Sequence, residues 1–506
     1  MELDYYSIMG GCSMKKILGF HSPCILIGVL VLALLLTVLP VNPAVTAGEN
    51  NAHYGNTAKY VFYFIGDGMG MPQINAAEIY KGALNSNDPM YKEKVNFTAF
   101  PFMGMQTTQA ADTFITDSAA AGTALASGYK TNSAYLNMDP AKTTKYTSMA
   151  EKAKEKGMKV GIVSSVSLDH ATPAAFYAHQ PHRNNFYEIA LEMANSGFDY
   201  FAGGGLLAPT GKKKNLPNAL DIARQQGYKV VNNQEEIMGL TPRDGKVIAI
   251  QPGLAAEEAM QYEIDRTGQL SLADFTRKGI EMLDNPNGFF MMVEGGKIDW
   301  ACHANDAVTT IRDVMALEDA VAEALKFYAK HPTETLIIIT GDHETGGMTI
   351  GFAGTEYKTA FKTMNKQNLS FEEFDKKIKE YRKIVGAQGG NLQDWLPVLA
   401  RNYGLTGLTD YEESRLRDAL AASMLEPKQR SKDPHSYLLY GTYEPFSVTV
   451  THIVNQRAGI GWTTYAHSGV AIPVYAQGVG GELFQGYYDN TDVAKKMMHI
   501  MGLKFQ

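Results

Sequence analysis

Three carboxylates stand where an α/β chain most easily places chemistry. Asp67 closes the run YVFYFIG, Glu294 closes FFMMV and Asp342 closes LIIITG. Each follows a short apolar stretch that reads as a buried strand, and ligands of open α/β sheets collect outside the carboxyl ends of the strands. One acid after a strand is most often a turn or cap residue. Three of them, each beside a glycine, point to a shared carboxylate-lined edge. Histidines join them. Asp342 and His343 are adjacent. Asp299 and His303 are four apart and so share one face of a helical turn. His467 precedes Ser468-Gly469, just ahead of another apolar run. A mixture of Asp and His suits zinc, and positions served by carboxylate alone suit magnesium.

The segment TDSAAAGTALASG offers a nucleophile, Ser118. Its alanines favour helix, with Asp117 and Ser118 at the start. A helix N-terminus presents unpaired N–H groups and the positive end of the dipole, which suits a phosphoryl group. On composition alone, capping the helix is the simpler role for either residue.

The elements that must position these residues alternate along the chain. Apolar runs recur as KVGIVSS at 159–165, KVIAI at 246–250, FFMMVEGG at 289–296, LIIITGD at 336–342 and AIPVYAQG at 471–478, with helical stretches such as 147–156 and 307–329 between them. This order predicts an α/β fold, a mostly parallel central sheet with helices on both faces. Residues 352–460 break the rhythm. Their amphipathic helices, with start signals at Ser370/Glu373 and Thr409/Glu412, read as a large helical insertion between two core strands.

The composition is that of a globular protein, 45% hydrophobic and 20% charged over 506 residues. A net charge of -7 argues against a nucleic-acid partner. Lys15 and Lys16, the apolar run from Cys24 to Leu39, and Val45-Thr46-Ala47 read as a secretory signal peptide over residues 1–47. The run is shorter than the roughly 18–20 residues of a spanning helix, so no stable membrane anchor is expected. The mature chain, 48–506, then keeps only Cys302 and forms no internal disulfide.

Together, IGDGMG, TDSAAAGTALASG, DHATPAAF, VEGGKIDWACH, TGDHETGG and YAHSG resemble the alkaline phosphatase family. The likeness covers about residues 60–350 and resumes from about 460, and the order and spacing of all six segments carry it. The signal segment implies an exported enzyme, periplasmic or secreted, and the resemblance implies one that hydrolyses small phosphate monoesters through a phosphoserine at Ser118 and acts as a homodimer. It implies two Zn2+ and one Mg2+ per site. Asp299, His303 and His467 correspond to ligands of the first zinc. Asp67, Asp342 and His343 correspond to those of the second, which also touches Ser118. Asp67 bridges to the magnesium position, completed by Thr172 and Glu294. Arg183 corresponds to the arginine that grips two phosphate oxygens, oriented by Asp117. Two positions depart from part of the family. His170 stands where some members carry aspartate and is counted here with the third metal's ligands. Trp300 stands where others carry a cation. The alternatives are a metal-dependent diesterase or sulfatase of the same superfamily, which would carry threonine or a modified cysteine in place of Ser118, and a non-catalytic exported binding protein.

Overall fold

The computed structural model describes residues 57–386 and 389–505; the expected leader over residues 1–47 lies outside them. The core is one sheet of ten strands. In chain order these include β1 (Tyr60–Gly66), β2 (Phe102–Gln106), β3 (Lys159–Ser164), β4 (Tyr200–Gly203), β5 (Tyr228–Val231), β6 (Lys246–Ile250), β7 (Phe289–Glu294) and β8 (Thr335–Gly341). Two further short pairs follow: β9 (Glu344–Thr345), β10 (Thr349–Ile350), β11 (Ile460–Gly461) and β12 (His467–Ser468). The last sheet strands are β13 (Ile472–Gly478) and β14 (Gly486–Tyr488). Across the sheet the order is β14-β2-β13-β8-β1-β7-β3-β4-β6-β5, and only β13 runs against its neighbours. The mostly parallel sheet expected from the sequence is what forms.

β1 shows why both faces are covered. Its side chains alternate, as a strand requires. Tyr60, Phe62 and Phe64 enter one apolar cluster, and Val61, Tyr63 and Ile65 enter the other. All are buried, so the strand reads as a continuous apolar run instead of an alternating one.

The segment 352–460 is helical, with helices at Phe371–Val385, Leu392–Tyr403, Asp410–Met424, Pro434–Tyr440 and Pro445–Ala458. It leaves and rejoins the core through one antiparallel neck, Thr349 opposite Gly461 and Ile350 opposite Ile460. It is not a separately packed body. Phe374, Trp395, Leu416 and Phe446 belong to the same buried cluster as Phe62 and Phe64. Polar contacts dock it behind the helix Lys297–His303. Phe371 N donates to Asp306 Oδ2 at 3.0 Å, Ser370 N donates to Asp265 Oδ1 at 2.9 Å, and the fully buried Lys297 pairs with Glu372 at 3.3 Å. The Thr409/Glu412 capping box forms in both directions. At Ser370 only half of the expected box forms: its hydroxyl accepts from Glu373 N, but its own N–H goes to Asp265. The acid that completes this helix start comes from the core, where sequence-local signals do not reach.

Candidate active site

β8, β1 and β7 are neighbours in register, with Gly66 opposite Gly341 and Ile65 opposite Glu294. Their carboxyl ends therefore deliver Asp342, Asp67 and Glu294 side by side, all fully buried. The adjacent β3 leads to His170 and Thr172, which complete this edge. The chain then closes tightly over the edge. Gly68 has φ +70, and a Cβ there would lie 2.9 Å from the Asp299 backbone, so only glycine fits. Its N–H donates to Asp342 Oδ1 at 3.2 Å.

Three groups of ligand-type side chains converge: Asp299, His303 and His467; Asp67, Asp299 and His343; and Asp67, His170 and Glu294. The first group has the clearest chemistry. His303 Nδ1 lies 2.6 Å from the Tyr465 carbonyl, and His467 Nδ1 lies 2.7 Å from that of Thr116. A carbonyl only accepts, so both Nδ1 atoms carry protons and donate. The two Nε2 atoms then face each other at 3.2 Å, with Asp299 3.3 Å from one and 3.7 Å from the other. Two ring nitrogens and a carboxylate aimed at one point suit a cation between them. Anchoring one ring nitrogen on a carbonyl to aim the other is how proteins orient metal-ligating histidines.

His343 centres the second group. Its Nε2 lies 3.3 Å from Asp67 Oδ1, 3.3 Å from Asp342 Oδ2 and 3.1 Å from Ser118 Oγ. Asp67 Oδ1, Asp342 Oδ2 and Glu294 Oε1 are buried without a hydrogen-bond donor. Buried carboxylate oxygens left this way are costly unless a cation meets them. The donor set thus fits divalent metals at all three groups.

Ser118 begins the helix Ser118–Ser127, and Asp117 is its N-cap. Asp117 Oδ1 accepts from Ala120 N at 3.1 Å and from Ala134 N at 3.0 Å, so the cap is satisfied without the serine hydroxyl. That settles which of the two residues caps. Asp117 Oδ2 also takes Arg183 Nη1 at 3.0 Å, while Arg183 Nη2 lies 3.3 Å from His170 Nε2. The guanidinium is therefore held over the helix start. Every site residue expected from the sequence lies in this one region.

The alkaline phosphatase family profile matches residues 58–503, nearly all of the described chain. The chain belongs to the alkaline phosphatase family. It is 34% identical to alkaline phosphatase 4 of Bacillus subtilis over 451 residues, 87% of this chain and 88% of that one. Among solved structures, a cold-active alkaline phosphatase from a psychrophilic Shewanella superposes with a TM-score of 0.73 at 28% identity, covering 87% of this chain and 99% of that one. A variant of the TAB5 alkaline phosphatase with magnesium bound superposes with a TM-score of 0.61 at 26% identity, covering 89% and 99%. Membership makes the chain a phosphomonoester hydrolase.

Against that family background, the residues supporting the ligand set stand out as those sequence reasoning missed. Thr345 Oγ1 donates to Asp299 Oδ1 at 2.5 Å and lies 3.2 Å from His343 Nδ1. Ser164 donates to Glu294. Glu344 accepts from Ser468 and from Gln73 Nε2, which ties β9 to β12 and fixes His467. Their only signal was position, next to a ligand or at a strand end. Trp300 packs edge-on to His170, ring centroids 5.9 Å apart, and lies beneath the Lys297 ammonium.

Without a cation the cluster is electrostatically strained, and this predicts a pH effect. Burial, then the Asp299 charge, lifts Asp342 to about 7; burial lifts Glu294 to about 8; Asp67 is pushed well up by burial and then Asp342. A carboxyl with a raised folded pKa stabilises the fold at low pH, and that contribution is lost as pH rises through the folded value. His303 acts in the same sense. Burial opposes its charge, but Asp299 outweighs burial and raises it from 6.5 to about 9. His170, lowered by burial to about 3, and the lowered His343 and His467 act oppositely. Their effect is complete above about 6.5. Chelated protein is therefore expected to lose thermal stability between about pH 6.5 and 9, while metal-loaded protein is not. Calorimetry in chelator across that range checks this, and a Tm rising with pH would contradict it.

Proposed function

We propose that the chain hydrolyses phosphate monoesters in two steps through a phosphoserine at Ser118, in a site holding two zinc ions and one magnesium ion. One observation carries the reading: the Ser118 hydroxyl lies 3.1 Å from His343 Nε2, where Asp67 and Asp342 converge, at the start of a helix whose cap is already satisfied.

Asp299, His303 and His467 would hold one zinc. Asp67, Asp342 and His343 would hold the second, with Asp299 near enough to contribute. Asp67, Glu294, Thr172 and His170 would hold the third metal; Thr172 Oγ1 lies 3.3 Å from Asp67 Oδ2. Bound there, the metals supply Lewis-acid charge at the attacking and leaving oxygens.

The chain's own residues do the rest. Ser118 Oγ attacks phosphorus, the bond to the ester oxygen breaks, and the alcohol leaves. Water then cleaves the phosphoserine and returns Ser118 and inorganic phosphate. The helix N-terminus presents N–H groups to the equatorial oxygens, and Arg183, oriented by Asp117, grips them in a fork. Asp117 is held below the usual carboxylate range, because Arg183 and the backbone N–H groups of Ala134 and Ala120 together outweigh its burial, so its carboxylate stays charged. Rapid acid quench and peptide mass spectrometry test the reading; phosphate on any residue other than Ser118 would overturn it.

Arg183→Ala is expected to raise the inhibition constant for inorganic phosphate about 10- to 100-fold, the worth of charge-assisted hydrogen bonds, without changing metal content. Unchanged phosphate inhibition would remove Arg183 from the phosphate site.

Activity is proposed to rise from neutral to alkaline pH, and the protein to be an exported homodimer. The family resemblance supports the pH dependence and the dimer, and the leader-like sequence over residues 1–47 supports export. Among the described residues no helix is long and apolar enough to cross a membrane.

A further inference from the structure

Just past the helix Lys297–His303 stands a buried polar residue that none of this chemistry uses. Asn305 has φ +51, in the left-handed region, and is 2% exposed. Asparagine adopts that conformation more readily than most residues, but glycine does so at no cost, so the backbone alone does not call for an amide. The amide is nevertheless fully used. Its Nδ2 donates to Cys302 O at 2.9 Å and to Thr464 O at 3.1 Å. Carbonyls only accept, so both fix Nδ2 on their side and turn Oδ1 the other way.

On that other side is the insertion. Asn305 Oδ1 lies 3.1 Å from His452 Nε2. The amide oxygen only accepts, so Nε2 carries the proton and donates. Burial keeps this ring neutral, lowering its pKa to about 4. Asn455 Nδ2 donates to the backbone carbonyl of Asn305 at 2.7 Å. His452 and Asn455 are three apart on the helix Pro445–Ala458 and so share a face. That helix thus grips Asn305 by its side-chain oxygen and its backbone oxygen together.

What Asn305 ties together is the frame around one ligand-type histidine. Cys302 immediately precedes His303, and Thr464 immediately precedes Tyr465, whose carbonyl accepts from His303 Nδ1 at 2.6 Å. One end of the frame carries the imidazole and the other carries the carbonyl that orients it. The Asn305 amide bridges the two ends, alongside the bond they make. His452 supports the same loop, its ring near-parallel to that of Tyr465 with centroids 6.1 Å apart. A shift of either end would move His303 Nε2 from its place 3.2 Å from His467 Nε2.

We propose that Asn305 is a positioning residue for the first metal group, setting the aim of His303, and that His452 and Asn455 make the insertion the support of that aim. The proposal rests on the metal reading stated above. It gives the insertion a part in metal binding although no ligand comes from it. Asparagine alone meets the demands of the position: glycine has no amide, and aspartate would turn a carboxylate towards two carbonyls.

The test uses three variants of the full chain. Asn305→Gly removes the amide and keeps the backbone conformation. His452→Ala removes the donor to Oδ1, and His452→Gln puts an N–H back at similar reach. Zinc is titrated by calorimetry into each protein after dialysis, and His303→Ala identifies the binding step that belongs to the first group. The expected result for Asn305→Gly is a roughly tenfold weakening of that step alone, the usual effect of losing a group that orients a ligand. His452→Ala should weaken the same step less, and His452→Gln should restore it. Parent-like zinc binding in Asn305→Gly, or equal weakening of every step, would overturn the positioning role. If Asn305→Gly does not fold, the two His452 variants decide: identical binding in both would overturn it. A parent whose zinc binding is unaltered by His303→Ala would instead overturn the metal reading itself.

Discussion

Ser118→Ala is expected to lower turnover of phosphate monoesters about a thousandfold or more, with the fold and the metal content intact. The side chain is almost wholly buried, 2% exposed, and its oxygen faces His343. Removing it takes away the atom that attacks phosphorus. It does not take away the helix cap, because Asp117 already accepts from Ala120 and Ala134. A lost cap would cost about 1 kcal/mol; here the melting temperature should barely move. No carboxylate or imidazole is altered, so each metal position keeps its charged and imidazole ligands. Residual hydrolysis is expected, since Arg183 and the helix start still bind and polarise the ester. Steady-state kinetics, elemental analysis and a phosphoenzyme trap check the three parts together. Near-normal turnover, or phosphoenzyme formed by the variant, would remove Ser118 from the mechanism.

Asp299→Ala should be at least as damaging, for a different reason. Asp299 alone belongs to both the His303/His467 group and the Asp67/His343 group. Burial would raise its pKa, but His303, His467 and His343 outweigh burial and hold it well below the usual range. Without it, two imidazole lone pairs face each other with no anionic partner. Metal content per chain is expected to fall, and turnover to drop by about three orders of magnitude or more. Because one carboxylate serves two positions, the loss should exceed that from His303→Ala, which touches a single group. Elemental analysis of dialysed protein decides it; a metal content equal to the parent's would show that the ligand set is wrong.

Much of this architecture was legible in the sequence, unevenly. The long buried strands β1, β7 and β8 announce themselves because both faces are covered and their central residues form continuous apolar runs. The short strands β2, β4, β5 and β14 do not, being three to five residues long. In β2 a glycine, Gly104, is packed against the Phe484 backbone. β13 was recognisable as a strand, but its reversed direction was not, because apolar composition carries no polarity. In the site, the three acids at strand ends followed from pattern alone. His170, Thr172 and Arg183 came only with the family likeness, since nothing in their local sequence marks them. Thr345, Tyr465 and Glu344 were invisible, because their roles depend on pairings formed only when distant segments meet.

Those pairings bear on the order in which the molecule is assembled. Ser468 and Glu344 are 124 positions apart in sequence, and His467 is brought beside Thr345 by the same two-residue ladder. Closing a loop of that length early is entropically unfavourable, though the cost grows only slowly with length. The neck at Thr349 and Gly461 changes the distance that matters: once the insertion has folded and its neck has closed, His467 is only a few residues from a fixed point. β1 meets β7 and β8 across still longer stretches of chain, so both edges of the site are non-local and slow to form. What differs is the means: the histidine pair of the first metal group is brought together through a segment that contributes no ligand, and metal uptake there should follow the closure of its neck.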